Sequence, residues 1–147
     1  MRAAPLLSAL LLSYAGAGYA ALGAAPEAYA AQATEVTSGV TTAGTDYLVR
    51  ETTLAAGTRV REYVSAGGMV FALTWNGPML PDLKALLGKY FDAMTAESAR
   101  APRAGRGRLV VNQPEVVINS GGHMRAFEGS AWIPAQLPAG FSAEDLR

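Results

Sequence analysis

The 147 residues include no cysteine and only one histidine. The missing cysteines exclude a disulfide framework, a thiolate metal site, a cysteine nucleophile and a lipidated cysteine. A zinc or copper site needs three or four ligands at suitable spacing, and here His123 alone would begin the set. No Asp/Asn-dense loop offers calcium its oxygen ligands. The nearest approach to a phosphate cradle, Ala104-Gly105-Arg106-Gly107, lacks the lysine and hydroxyl residue of a P-loop. No metal and no cofactor is therefore expected. A charge excess is also missing, since 12 basic residues balance 12 acidic ones. The whole molecule has no electrostatic pull toward nucleic acid, and none is expected as a partner. Solenoid-type repeats are absent.

Long apolar runs are missing everywhere except at the start. Arg2 precedes a largely apolar stretch, Pro5 to Ala17, and Gly18-Tyr19-Ala20 is the small-x-small end that signal peptidase cuts. The stretch is short of the roughly 20 apolar residues that span a bilayer. We read residues 1–20 as a Sec-type signal peptide. The protein is expected to be exported to the periplasm or the cell exterior, and not to span a membrane after cleavage. Losing Arg2 leaves one more acidic than basic residue. The remaining length suits one ordinary domain with a packed core.

Residues 21–45 are mostly Ala, Gly and Thr, with few large apolar anchors. They read as a flexible arm, in which Ala24 to Ala33 has only marginal tendency to form a short helix. From residue 46 a single domain is expected. Tyr47 to Leu54 and Thr58 to Val64, rich in β-branched and aromatic residues and separated by Ala55-Ala56-Gly57, predict a hairpin. A break at Ala66-Gly67-Gly68 leads into a strand whose alternate residues Met69, Phe71, Leu73 and Trp75 form one apolar face, with Val70 and Ala72 on the other. Asn76-Gly77-Pro78 ends it. The period then changes to helical: Asp82 stands at the start, and Leu83, Leu86, Leu87, Tyr90, Phe91 and Met94 form the apolar stripe. Residues 97–108, with Pro102, two glycines and four arginines, read as a basic linker. Leu109 to Ile118 and Met124 to Ile133 predict two further strands around Asn119-Ser120-Gly121-Gly122, with Pro114 at an edge or bulge. The expected fold is α+β: a small antiparallel β-meander of about five strands with one amphipathic helix packed on the sheet.

Several phrases carry a resemblance when taken together: Gly57-Thr58-Arg59-Val60-Arg61-Glu62-Tyr63-Val64, Trp75-Asn76-Gly77-Pro78, Pro81-Asp82-Leu83, Tyr90-Phe91 and Ser120-Gly121-Gly122-His123-Met124-Arg125-Ala126-Phe127. The chain resembles an exported proteobacterial family of uncharacterised proteins, domain of unknown function 2844, over nearly all of its mature length. The resemblance implies export from a Gram-negative cell and a single domain. It assigns no activity and no ligand.

Among residues that can carry chemistry, His123 closely follows Ser120, but no orienting carboxylate or nucleophile-elbow sequence accompanies the pair. No catalytic residue is assigned. Strict alternation puts the Glu62 carboxylate on the face shared by Val60 and Val64, where it needs a partner, for which Arg50 and Arg125 are the candidates. A lone carboxylate in a cleft would instead be an acid or base, which makes Glu62, His123 and Arg125 the polar residues of interest. Arg100, Arg103, Arg106 and Arg108, with no acid between Glu97 and Glu115, form a cationic run able to meet an anionic polysaccharide or lipid. Trp132 and Tyr63, with Trp75 and Tyr47, are candidates for an aromatic interaction platform, although Trp75 shares the core alternation. The leading expectation is a non-catalytic module binding another envelope protein through an edge strand or aromatic patch. An anion binder using the arginine run comes second, and a small hydrolase third.

Overall fold

The computed structural model describes residues 22–26, 31–100 and 108–146, so residues 1–20, expected to be a signal peptide, lie outside the described residues. Seven strands, all antiparallel, make one sheet in the order β1-β2-β3-β4-β7-β6-β5. Two of the strands exceed the meander of about five expected from the sequence, and helical segments pack on one face, which keeps the class α+β.

The first extra strand is β1 (Ala31–Val40), paired along its length with β2 (Asp46–Leu54). These residues were expected in a flexible arm. The arm reading fails again at Leu22, which is buried between helix and sheet: its N–H donates to the Leu86 carbonyl (2.9 Å), and Gly23 and Ala24 exchange backbone hydrogen bonds with Val70. Residues 24–26 and 31–33 are not helical.

β2 and β3 (Arg59–Ser65) form the expected hairpin, closed by the Gly57 N–H donating to the Leu54 carbonyl, with Gly57 at φ +83° where glycine alone is unstrained. β4 (Val70–Gly77) follows, but its apolar alternation is broken. Val64 pairs with Val70 and Tyr63 with Ala72, so Phe71 is the extra residue of a β-bulge. The bulge turns Phe71 to the side of Ala72 and Tyr63, away from Leu73 and Trp75, whose face Val70 now shares. Strict alternation had placed Phe71 with Leu73.

The helical stripe is interrupted at Gly88 (φ +52°), which separates α1 (Leu83–Leu87) from a 3-10 turn and α2 (Phe91–Arg100). Asp82 caps α1, its Oδ1 accepting from the Ala85 N–H at 3.0 Å. Leu83, Leu86 and Leu87 are buried against the sheet, with Tyr90, Phe91 and Met94 packed beside them. Residues 97–100, expected in the linker, belong to α2. β5 (Leu109–Asn112) and β6 (Val117–His123) then divide what the sequence pattern joined as one strand, because Pro114 sits in a tight turn in which Gln113 and Val116 exchange backbone hydrogen bonds. Asn119 to Gly122, expected as a turn, lies inside β6, and the chain reverses at Met124-Arg125 into β7 (Ala126–Trp132).

Two cores result. The helical side joins Leu22, Val60, Leu73, Trp75, Ile118 and their neighbours. There the indole of Trp75 lies over Gly129, its cross-strand partner. The opposite side is aromatic: Tyr63, Phe71 and Phe141 with Tyr47, held under the C-terminal segment. Phe141 stands edge-on to Phe71 at 4.9 Å between ring centroids and to Tyr47 at 5.2 Å, geometries that favour ring quadrupoles. Thr41 Oγ1 and Thr42 Oγ1 donate to the carbonyls of Ala139 and Gly140, tying this segment to the β1–β2 turn. Phe141→Ala should therefore lower unfolding free energy by about 3 kcal/mol in urea titration, and a loss below about 1 kcal/mol would mean the segment is not docked in solution.

Candidate functional site

The C-terminal segment covers only part of its face of the sheet. Beyond Leu146 the strands expose polar side chains in register: Asn76 opposite Arg59, Thr74 opposite Arg61 and Ser130, and Asn119 opposite Ser130. With Arg108 and Glu128 they line a cleft of about 380 Å³. Arg61 Nε donates to Glu51 Oε2, and Arg108 Nη2 lies 2.6 Å from Glu128 Oε1. Arg59 makes no ion pair among the described residues. On the other side of Arg61 a second hollow holds Glu35, Glu51, Tyr47 and Asp145. Burial, then the Asp145 carboxylate, then Tyr63, raise the Tyr47 phenol above its ordinary range.

The second feature is the β1 edge. β1 and β5 end the sheet, and they differ in kind. β5 has four residues, whereas β1 has ten, with no proline or lysine and one charge, Glu35. Edges are normally blunted by shortness, proline or lysine. The helices cover the centre of their face and leave the β1 end open, where Val36 is 58 %, Val40 63 % and Leu48 46 % exposed. Gly39 lies beneath the Tyr47 ring on the opposite face.

Glu62 is 1 % exposed, and its partner is Arg50, directly opposite on β2, with Nη1 to Oε2 at 3.7 Å. Arg125 takes no part: it is exposed at the β6–β7 turn with φ +66°. His123 is exposed at the end of β6, its Nδ1 3.2 Å from the Met124 carbonyl oxygen. Three residues apart on a strand, Ser120 and His123 face opposite sides of the sheet. The aromatic platform is not assembled at the surface. Tyr63 is buried in the aromatic core, and half-buried Trp132, on the interior strand β7, packs against the same cluster. The cationic run is likewise divided. Arg100, exposed on α2, lies 3.5 Å from Glu97; Arg108 lines the cleft; Arg103 and Arg106 lie outside the described residues. Among the described residues there is no cluster of three metal-ligating side chains, and no helix is long and apolar enough to cross a membrane. The residues missed from sequence, Arg59, Arg61, Thr74, Asn76, Asn119 and Ser130, come from four strands, and only Arg59 and Arg61 carried a signal, as outward positions alternating with Val60 and Glu62.

The geometry defines a small α+β domain: an antiparallel sheet, covered by helices on one face, with a polar cleft on the other and one long edge that no other described strand pairs with. The chain belongs to a family that its description calls "Protein of unknown function (DUF2844)", matched over residues 18–146. No curated protein and no solved structure matches it.

Proposed function

We propose that the protein is an exported, non-catalytic interaction module that binds an extended segment of another envelope protein along β1. The observation that carries this reading is the ten-residue β1 edge, which has no neighbouring strand among the described residues. A strand added there makes backbone hydrogen bonds to the edge, and its alternate side chains lie beside Val36 and Val40 and extend the exposed apolar margin. No special side-chain chemistry is needed. Export rests on the N-terminal sequence pattern, and the envelope location follows from it.

Val36→Lys with Val40→Lys places two charges on this margin while disturbing no buried contact. The variant is expected to fold with parental stability and to recover at least about tenfold less partner from crosslinked cells, since a desolvated charge in the new pairing costs more than 1.4 kcal/mol. Unchanged recovery would reject β1 as the docking edge.

A further inference from the structure

We propose that the polar cleft across β3, β4, β7 and β6 is a binding site for an acidic saccharide, a hydroxyl-rich chain bearing a carboxylate, with Arg59 as the group that meets the carboxylate. The inference does not depend on strand addition at β1, because the cleft lies on the other face of the sheet from Val36 and Val40 and includes no residue of β1.

Charge decides where the anion sits. Three guanidinium groups line the cleft, and two of them already hold carboxylates: Arg61 that of Glu51, and Arg108 that of Glu128. Arg59, exposed, holds none among the described residues. The cleft therefore has one cation left over, at its β3 side and directly opposite the neutral Asn76. A guanidinium presents paired N–H donors that match the two oxygens of a carboxylate.

The neutral residues decide what carries the anion. Thr74 and Ser130 are opposite each other, as are Ser130 and Asn119, and Asn76 lies opposite Arg59. Hydroxyls and carboxamides both donate and accept, which is the pattern a row of saccharide hydroxyls requires. An aromatic or apolar ligand gains little, because the Trp75 indole is turned to the opposite face over Gly129. The cleft runs across strands about 4.8 Å apart on an open sheet face, which admits a chain segment and does not enclose a small cofactor.

The test is isothermal titration and amide chemical-shift mapping of the full mature chain with a short oligogalacturonate, a neutral galacto-oligosaccharide and an oligomer of glycerol phosphate. Oligogalacturonate is expected to bind at low salt, to shift the amides of Thr74, Asn76, Asn119 and Ser130, and to weaken as salt rises. Arg59→Ala should weaken it about 10- to 100-fold, the range for losing a charge-assisted hydrogen-bonded contact, with Arg59→Lys intermediate. Because Arg59 is exposed and makes no ion pair among the described residues, the thermal unfolding curve of Arg59→Ala should match the parent's, and Arg100→Ala, remote on α2, should leave binding unchanged. The proposal is overturned if no saccharide binds, if the neutral oligomer binds equally, if glycerol phosphate binds in place of the uronate, or if a folded Arg59→Ala variant binds as the parent does.

Discussion

Arg50→Met is expected to destabilise the protein by about 3 kcal/mol, at the lower end of the range for breaking a buried ion pair. Glu62 is 1 % exposed and sits among apolar side chains on the helix-facing side of β3, while Arg50 is 20 % exposed and keeps some water. Removing the arginine leaves a carboxylate enclosed with its Coulomb partner gone, and that desolvation is what the measurement reads. The pair itself is worth much less than its breakage suggests, because burying both charges was costly at the outset. The double variant Arg50→Met/Glu62→Met should accordingly return to within about 1 kcal/mol of the parent. Urea unfolding of the two single variants and the double one gives the coupling energy directly. Additive losses would show that the two side chains do not act as a pair, and the structural role assigned to Glu62 would fall with them.

Gly129→Ala should cost at least about 3 kcal/mol, a large part of the 5–15 kcal/mol typical of a whole domain. A Cβ at this position would overlap Cζ2 of the Trp75 indole and stand 2.6 Å from the Asn119 carbonyl oxygen. The indole is buried among the helix-facing core residues and has nowhere to retreat, and the carbonyl belongs to the neighbouring strand β6. Trp75→Phe in the alanine background relieves the ring overlap but not the carbonyl approach, so it should recover only part of the loss. The readouts are the urea midpoint and, for Gly129→Ala, a shifted tryptophan emission. A Gly129→Ala variant as stable as the parent would mean that the indole does not lie over position 129.

These two sites mark the range of what was legible beforehand. Alternation along β3 exposed the Glu62 problem and named Arg50 among its possible solutions, because a period of two is a local property of one strand. The β2–β3 hairpin and the stripe from Leu83 to Met94 were legible for the same reason: each repeats over enough residues to stand above its neighbours. Gly129 carried no signal, since its need for a missing Cβ arises from a tryptophan more than fifty positions earlier. β1 was invisible because an edge strand exposed on both faces has no apolar alternation to display, and Ala, Thr, Ser and Gly look alike in a linker and on such an edge. The bulge at Phe71 defeated an otherwise correct period by inserting one residue, which exchanges the faces of everything before it. Gln113-Pro114-Glu115-Val116 was swallowed by flanking valines and isoleucine that looked like one continuous strand. The cleft depended on which strands become neighbours, and the return of β7 beside β4 across the β5–β6 hairpin is a topological fact that no local pattern contains.

The reading of β1 as the docking edge is tested most directly by a photo-crosslinking amino acid placed singly at positions 34 to 40, at Val110 on the opposite edge and at Ser98 on α2, in the full-length protein expressed in its own host. The account predicts that positions 34 to 40 capture one and the same protein, most strongly from Val36 and Val40, and that positions 98 and 110 capture none. Capture from Val110 or Ser98 with silence along β1 would contradict it, and capture of a second copy of this chain from β1 would replace the envelope partner with self-association.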